Sequence, residues 1–230
     1  METTFSEANN QPHKYAVFFD LDQTLADSIS GKSLAKEAYR KGLMSNRNML
    51  NALLNSILFR LNLRDHLRII DSMVSWVRGI PENVIDEMCK DVFIDSILPS
   101  VYNDARSEIR MHRAGNARVV ILSSALKGVC QEMARELALD DVICSTLEAE
   151  KGIMTGRPVG HICFGAEKAS RLKEYCTNNN FVLSEAWYYG DSASDLPPLN
   201  VVGHPICINP DKQLKKVALR NNWRILNWKN

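Results

Sequence analysis

Four short apolar runs, each stopping abruptly at small or polar residues, constrain this chain most. Tyr15-Ala16-Val17-Phe18-Phe19 stops at Asp20, and Arg118-Val119-Val120-Ile121-Leu122 stops at Ser123-Ser124. Ala186-Trp187-Tyr188-Tyr189 stops at Gly190-Asp191, and Pro205-Ile206-Cys207-Ile208 stops at Asn209-Pro210. Runs of this length, rich in β-branched and aromatic residues, read as strands, and unbroken apolar strands suit a parallel sheet buried on both faces. Helical patterns over 127–138, 167–178 and 212–221 alternate with them. The alternation predicts an α/β fold with a parallel sheet and helices on both faces. In such folds ligands gather beyond the carboxyl ends of the strands, where these polar residues lie.

One connection is too long for a simple crossover. About a hundred residues separate Asp20 from Ser123, whereas roughly a dozen are enough to return to a parallel neighbour. The intervening stretch reads as helices over 32–41, 48–61, 65–77 and 82–91, with Pro81 in the first turn of the last. A further helix over 98–112, ended by Gly115, leads back to the second strand. The expected organisation is a flexible tail over 1–14, a catalytic core from 15–27 and 97–230, and an inserted small helical cap over 28–96. Residues 146–157 turn at Lys151-Gly152 and Thr155-Gly156. They read equally as a flap beside the site or as a surface hairpin closing the sheet edge.

Charge and cysteine usage narrow the partners. Lysine and arginine number 28 against 27 acids, a formal charge of +1. A dedicated nucleic-acid or membrane-surface binder would show a basic excess, so a small-molecule partner is expected. The six cysteines form no C-x-x-C pair, and residues 1–14 hold no apolar stretch of the kind a secretory leader has. A reducing, cytoplasmic setting is the expectation. The five histidines show no zinc-ligand spacing, and His204 reads as a loop residue. The apolar segment 49–63 is broken by Asn51, Asn55, Arg60 and Asn62, too short and polar to span a bilayer. It reads as a buried helix, with peripheral membrane or partner contact as the alternative.

The chemistry concentrates at the strand ends. In Asp20-Leu21-Asp22-Gln23-Thr24 two carboxylates stand two residues apart directly after a buried strand. Like charges that close raise at least one pKa unless a cation neutralises them, and a hard cation such as Mg²⁺ takes oxygen ligands. Gly190-Asp191-Ser192-Ala193-Ser194-Asp195 supplies two more acids after another strand. Because loops at neighbouring strand ends converge, Asp191 can share one ion with Asp20. Ser123 closes the second strand and Lys168 opens a helix after Cys163-Phe164-Gly165. A hydroxyl and an ammonium there can hold the oxygens of a transferring phosphoryl group. Each signal alone is ordinary turn or surface chemistry; their joint order is what points to a site.

With these motifs the chain resembles the haloacid dehalogenase superfamily of phosphohydrolases, and more closely its phosphoserine phosphatase-like branch. Thr155-Gly156-Arg157, Gly165 with Lys168, Tyr189-Gly190-Asp191-Ser192 and Asp195-Leu196-Pro197 resemble that branch too. The resemblance implies a Rossmann-like core and a Mg²⁺-dependent phosphatase acting on a small phosphorylated metabolite. Asp20 would be the nucleophile and a metal ligand. Asp22 would protonate the leaving oxygen and later activate water, its backbone carbonyl binding the metal, and Asp191 would complete the protein ligands. Thr24 would orient the first loop, and Ser123 and Lys168 would hold phosphate oxygens. Asp195 would position Lys168 or a metal-bound water, and the backbone N–H groups of Leu21, Asp22 and Ser124 would also face phosphate. Dehalogenases of the superfamily lack an acid at the position of Asp22, because a halide leaves without a proton whereas an alkoxide needs one.

The pattern departs from phosphoserine phosphatases at two places. Their substrate-clamping glutamate lies nine residues beyond the nucleophile, where this chain has Ile29. Arg68 and Arg78 sit off the position expected of an arginine holding a serine carboxylate. A different phosphate ester is therefore expected. The alternatives are phosphotransfer to an acceptor alcohol and a non-catalytic phosphate-binding or receiver-like module; a receiver would need an aspartate after Leu122, where Ser123 stands.

Overall fold

The computed structural model describes residues 12–50 and 74–229. Its strands are β1 Tyr15–Phe19, β2 Ala117–Leu126, β3 Asp141–Ser145, β4 Leu147–Glu150, β5 Ile153–Pro158, β6 Trp187–Gly190, β7 His204–Ile208 and β8 Arg224–Leu226. Its helices are α1 Ser30–Arg40, α2 Glu82–Val92, α3 Asn103–Ala114, α4 Lys127–Glu136, α5 Ala166–Asn178, the short α6 Leu196–Leu199 and α7 Lys212–Arg220. Six strands pair in parallel in the order β3-β2-β1-β6-β7-β8, and β4 with β5 forms a separate antiparallel pair.

The apolar runs are buried on both faces, as continuous parallel strands require. Val17, Phe19, Val119 and Ile121 pack with α2, α3 and α4 through Met88, Ile109 and Met133. Their alternates Ala16, Phe18, Val120 and Leu122 pack with α5 and α7 through Leu172, Cys176, Leu214 and Ala218. Side chains alternate between faces along a strand, so one sequence run serves two cores. Leu34 and Ala38 of α1 join the first of these clusters.

The chain leaves and re-enters the core side by side. The Asp27 N–H donates to Ser100 O at 2.8 Å, the Tyr102 N–H donates to Leu25 O at 3.0 Å, and Ala26 bridges Val101. This pairing corrects the expected helix over 98–112. Pro99 sits in a 3₁₀ turn over Leu98–Ser100, Val101 and Tyr102 are extended, and α3 begins only at Asn103. Gly115 ends α3 as expected, but the left-handed residue after it is Asn116, with φ 61°.

Other boundaries moved for local reasons. β2 does not stop at Leu122; it continues through a register shift to Leu126, so Ser123 and Ser124 lie in a bulged strand end. β3 and β8 were not expected, because each offers only two or three apolar residues at a sheet edge. His204 is the first residue of β7, stacked on the Trp187 ring at 4.4 Å, and is no loop residue. The β4–β5 pair does not close the sheet edge. It docks on the residues before α2: Gly79 N–H to Met154 O, Met154 N–H to Ile80 O and Glu82 N–H to Gly152 O are each 2.9 Å. Arg78 donates to Thr155 O at 3.1 Å. Of the expected helix over 65–77, residues 75–77 form a 3₁₀ turn, while 65–73, Arg68 and most of the apolar segment 49–63 lie outside the described residues. Among the described residues, no helix is long and apolar enough to cross a membrane. All six cysteines are buried and free.

Candidate active site

Sheet register alone brings the acids together. β1 lies between β2 and β6, with Phe19 level with both Ile121 and Tyr189. One residue further, Asp20 emerges level with Leu122 and Gly190, next to Ser123 and Asp191. From β1 the sheet grows through β2 and β3 to one side and through β6, β7 and β8 to the other, which makes this strand end the topological switch point where α/β sheets bind ligands.

Asp20 is 6% exposed. Its Oδ2 stands 3.1 Å from Lys168 Nζ, and its Oδ1 accepts the Leu21 N–H at 2.8 Å. The Leu21 N–H thus faces the carboxylate of Asp20 itself. The fully buried Ser123 hydroxyl also reaches Asp20. Burial pushes the Asp20 carboxyl above its usual pKa; Lys168 opposes the shift and the nearby Asp195 adds to it.

Lys168 is the residue whose burial is least expected of its type, at 1% exposed. Gly165 precedes α5 with φ 55° and ψ −119°, a conformation that side-chain-bearing residues rarely adopt, and so starts the helix where Lys168 reaches the sheet end. Lys168 Nζ lies 2.7 Å from Asp195 Oδ1 and 3.2 Å from Tyr188 Oη. Burial alone would lower its pKa, but Asp195 and Asp20 together reverse this and hold the ammonium charged.

Asp195 is fully buried and fully engaged. Its Oδ1 accepts from Lys168 and from the Tyr188 hydroxyl at 2.6 Å. Its Oδ2 accepts from the Asp191 N–H, the Ser192 N–H and the Ser192 hydroxyl, each at 3.3 Å. Gly190 makes room for it, since a Cβ there would lie 2.8 Å from the Asp195 side chain.

Asp191 is only weakly held: its Oδ1 accepts from the Thr24 hydroxyl at 3.5 Å. Burial, followed by the Asp195 and Asp20 charges, pushes its carboxyl up to about 9. Thr24 is fully buried, and its hydroxyl links the first loop to the Asp191 loop. Asp20, Asp191 and Asp195 offer ligand oxygens that all lie within 4.8 Å of one another. An all-oxygen donor set with one under-partnered carboxylate fits a hard divalent cation. Ser124 is half-buried beside Ser123.

The carboxylate of Asp22 is held by Ser30. Its Oδ1 accepts the Ser30 N–H and its Oδ2 accepts the Ser30 hydroxyl, both at 2.8 Å. Burial raises its pKa to about 7 against the opposing Ser30 N–H bond, with the Asp20 charge adding to the rise. Between Asp22 and Thr24, Gln23 takes a left-handed backbone at φ 58°, a strained position of the kind that collects at functional loops.

Three contributors escaped the sequence reading. Tyr188 looked like one more core aromatic in an apolar run, yet its hydroxyl binds both Asp195 and Lys168. Ser30 is the first residue of α1, one position past the N-cap Ile29, and nothing in the local pattern announces its bonds to Asp22. Asp211 accepts the Ala193 N–H at 2.9 Å and the Leu214 N–H at 2.7 Å, tying the Asp191 loop to α7. Its signal was an aspartate just before a helix.

The model of the haloacid dehalogenase-like hydrolase family matches residues 17–200. The chain belongs to this hydrolase family. The chain is 30% identical over 224 residues to the inhibition of morphological differentiation protein of Streptomyces azureus, covering 96% of this chain and 80% of that protein. It is 27% identical to a probable phosphatase of Mycobacterium tuberculosis, over 93% of this chain and 75% of the relative. A phospho-aspartyl intermediate analogue of phosphoserine phosphatase shares the fold, with a TM-score of 0.71 at 18% identity, covering 93% of this chain and 92% of that one. The α/β core with a phosphoserine phosphatase-like arrangement is therefore the fold of this family member.

Proposed function

We propose that this hydrolase is a Mg²⁺-dependent phosphatase that cleaves a small-molecule phosphate monoester through a phospho-aspartate on Asp20. The observation that carries the reading is the buried contact of Asp20 with Lys168 at 3.1 Å, beside Asp191 at the switch point of the sheet. An aspartate that shares a buried ammonium with a transferring phosphoryl group is placed to attack it.

A carboxylate oxygen of Asp20 forms the new P–O bond as the ester P–O bond breaks. Asp22, protonated, gives its proton to the departing alkoxide. Asp22 as carboxylate then takes a proton from water, whose oxygen attacks phosphorus and releases Asp20 and inorganic phosphate. Splitting one displacement into two is the gain from covalent catalysis. Lys168 and Ser123 hold the phosphoryl oxygens, and Asp195 with Tyr188 fixes Lys168. Asp20, Asp191 and the backbone carbonyl of Asp22 would hold Mg²⁺, which supplies positive charge against the phosphoryl oxygens.

Residues 28–96 serve as the cap that selects the ester. Ile29, 39% exposed, precedes the serine that holds Asp22. An apolar side chain there cannot pair with an ammonium group, which favours an ester other than phosphoserine.

The test is phosphate release from para-nitrophenyl phosphate and a panel of phosphomonoesters, with Mg²⁺ and with chelator. Wild type should turn over only with the metal, and Asp20→Asn should fall to background. Full activity in that variant, or none in wild type across the panel, refutes the reading. Alcohol acceptors added to the same assay separate hydrolysis from phosphotransfer.

A further inference from the structure

The carboxylate of Asp22 is gripped on both oxygens by one residue. The Ser30 N–H reaches Oδ1 and the Ser30 hydroxyl reaches Oδ2, each at 2.8 Å. Ser30 itself is 1% exposed and is the first residue of α1. Two parallel bonds to one carboxylate fix its plane as well as its place, the geometry that makes bidentate recognition specific. Ile29 occupies the N-cap position and has no side-chain oxygen to bond the helix's own N–H groups. The Ser30 hydroxyl leaves the helix and crosses to the catalytic loop, and α1 has no side-chain cap.

We infer that Ser30 is a positioning residue for the proton transfers of Asp22. The inference rests on the phosphatase reading. A hydroxyl can both donate and accept. When Asp22 is protonated its OH points at the leaving oxygen, and Ser30 donates to the other oxygen. When Asp22 is a carboxylate, Ser30 N–H and Oγ–H bind both oxygens, as observed. The grip thus follows Asp22 through both states without letting the carboxyl rotate. Because Ser30 opens the first helix after the catalytic loop, the placement of α1 sets the placement of the acid.

The consequence depends on the leaving group. An ester whose departing oxygen is strongly basic needs the proton in the transition state, whereas a nitrophenolate leaves without it. Phenyl phosphate and para-nitrophenyl phosphate have nearly one shape and differ in this respect. The value read is kcat/KM, which reports transfer to Asp20 and is blind to the later hydrolysis.

Ser30→Ala should lower kcat/KM for phenyl phosphate about tenfold or more, a part of the roughly hundredfold or larger contribution a general acid makes. For para-nitrophenyl phosphate it should change little. Ser30→Thr, which keeps the hydroxyl, should restore the phenyl phosphate rate, and Ser30→Cys, a weak donor of similar size, should fall between. Melting curves of all four proteins show which are folded, and the Thr and Cys variants keep the comparison alive if Ser30→Ala unfolds. Equal losses on the two esters, or a threonine variant as slow as the alanine one, overturn the role of Ser30 while leaving the phosphatase intact. Failure of the wild type on both esters overturns the phosphatase reading and this inference with it.

Discussion

Replacing Asp191 by Asn should make the metal-free protein more stable, an unusual outcome for a residue at an active site. The Asp191 carboxyl is pushed from 3.8 to about 9 by burial first and then by the Asp195 and Asp20 carboxylates, with Lys168 only partly offsetting them. Its folded pKa lies above its unfolded one, so between these values the native state binds more protons than the unfolded chain. Stability from this group is therefore complete below the unfolded pKa and is lost as pH rises through the window. At pH 7 the separation from the unfolded value is about 3 units, a ceiling of about 4 kcal/mol at 1.36 kcal/mol per unit. Asp191 keeps an exposed edge, and Asp20 is raised as well, by burial first and then by the Asp195 charge. Shared protons and solvent screening reduce the net effect to about 2 kcal/mol. Asn keeps the shape without the charge, so the variant should melt about 4–8 °C higher at pH 7 in chelator, given roughly 2–4 °C per kcal/mol at this size. The gain should vanish near pH 4. Mg²⁺ should reverse the order: at a hundredfold excess over its dissociation constant it stabilises wild type by about 2.7 kcal/mol, and the variant should respond far less. Thermal melts at pH 4, 7 and 8.5, with chelator and with Mg²⁺, measure all of this. A variant less stable than wild type in chelator at pH 7 would refute the reasoning about charge crowding.

Two further outcomes follow from buried charge. Lys168→Met should destabilise the protein by about 3–5 kcal/mol, because it strips the partner from Asp195 and Asp20 in a dry site; urea denaturation at pH 7 measures the loss, and a change under 1 kcal/mol would show the ammonium to be dispensable. His112, 1% exposed between the Tyr15 and Tyr189 hydroxyls, is pushed by burial from 6.5 to about 4. The unfolded chain binds the extra proton in that window, so stability should fall by up to about 3 kcal/mol as pH drops from 6.5 toward 4. His112→Gln should flatten that slope, and an unchanged slope would locate the acid sensitivity elsewhere.

The core strands and the acids at their ends were legible because two rules agree there. A strand buried on both faces cannot hide its pattern, and its first polar residue marks where it surfaces. The apolar runs marked where Asp20 and Asp191 surface, and the joint order of the motifs pointed to a site. Lys168 was legible only through order in the chain, since nothing about a lysine in a helix announces that it is buried. Tyr188 was invisible for the opposite reason: its ring satisfies the apolar pattern while its hydroxyl serves the site. Ser30 was missed because its bond to Asp22 spans eight positions and depends on where α1 begins. The edge strands β3 and β8 failed because each offers only two or three apolar residues, and 98–112 failed because pairing of residues 100–102 with 25–27 overrode a helical pattern.

Charge arithmetic ties these observations together. With all three ionised, Asp20, Asp191 and Asp195 carry −3 against +1 on Lys168, a deficit of 3 − 1 = 2. Lys168 sits against Asp20 and Asp195, and among the described residues the Asp191 carboxylate has one long hydrogen bond, from Thr24. The unbalanced charge therefore falls on Asp191, and its carboxyl is the one pushed up to about 9. A phosphate dianion would double the deficit on entering, so no phosphoryl group could approach Asp20 through this field unaided. One divalent cation against Asp191 cancels the deficit that Lys168 leaves. Hence the acid that looks most destabilising without metal is the one whose removal should most weaken metal binding. No arrangement of these four side chains alone could serve both a buried nucleophile and an anionic substrate.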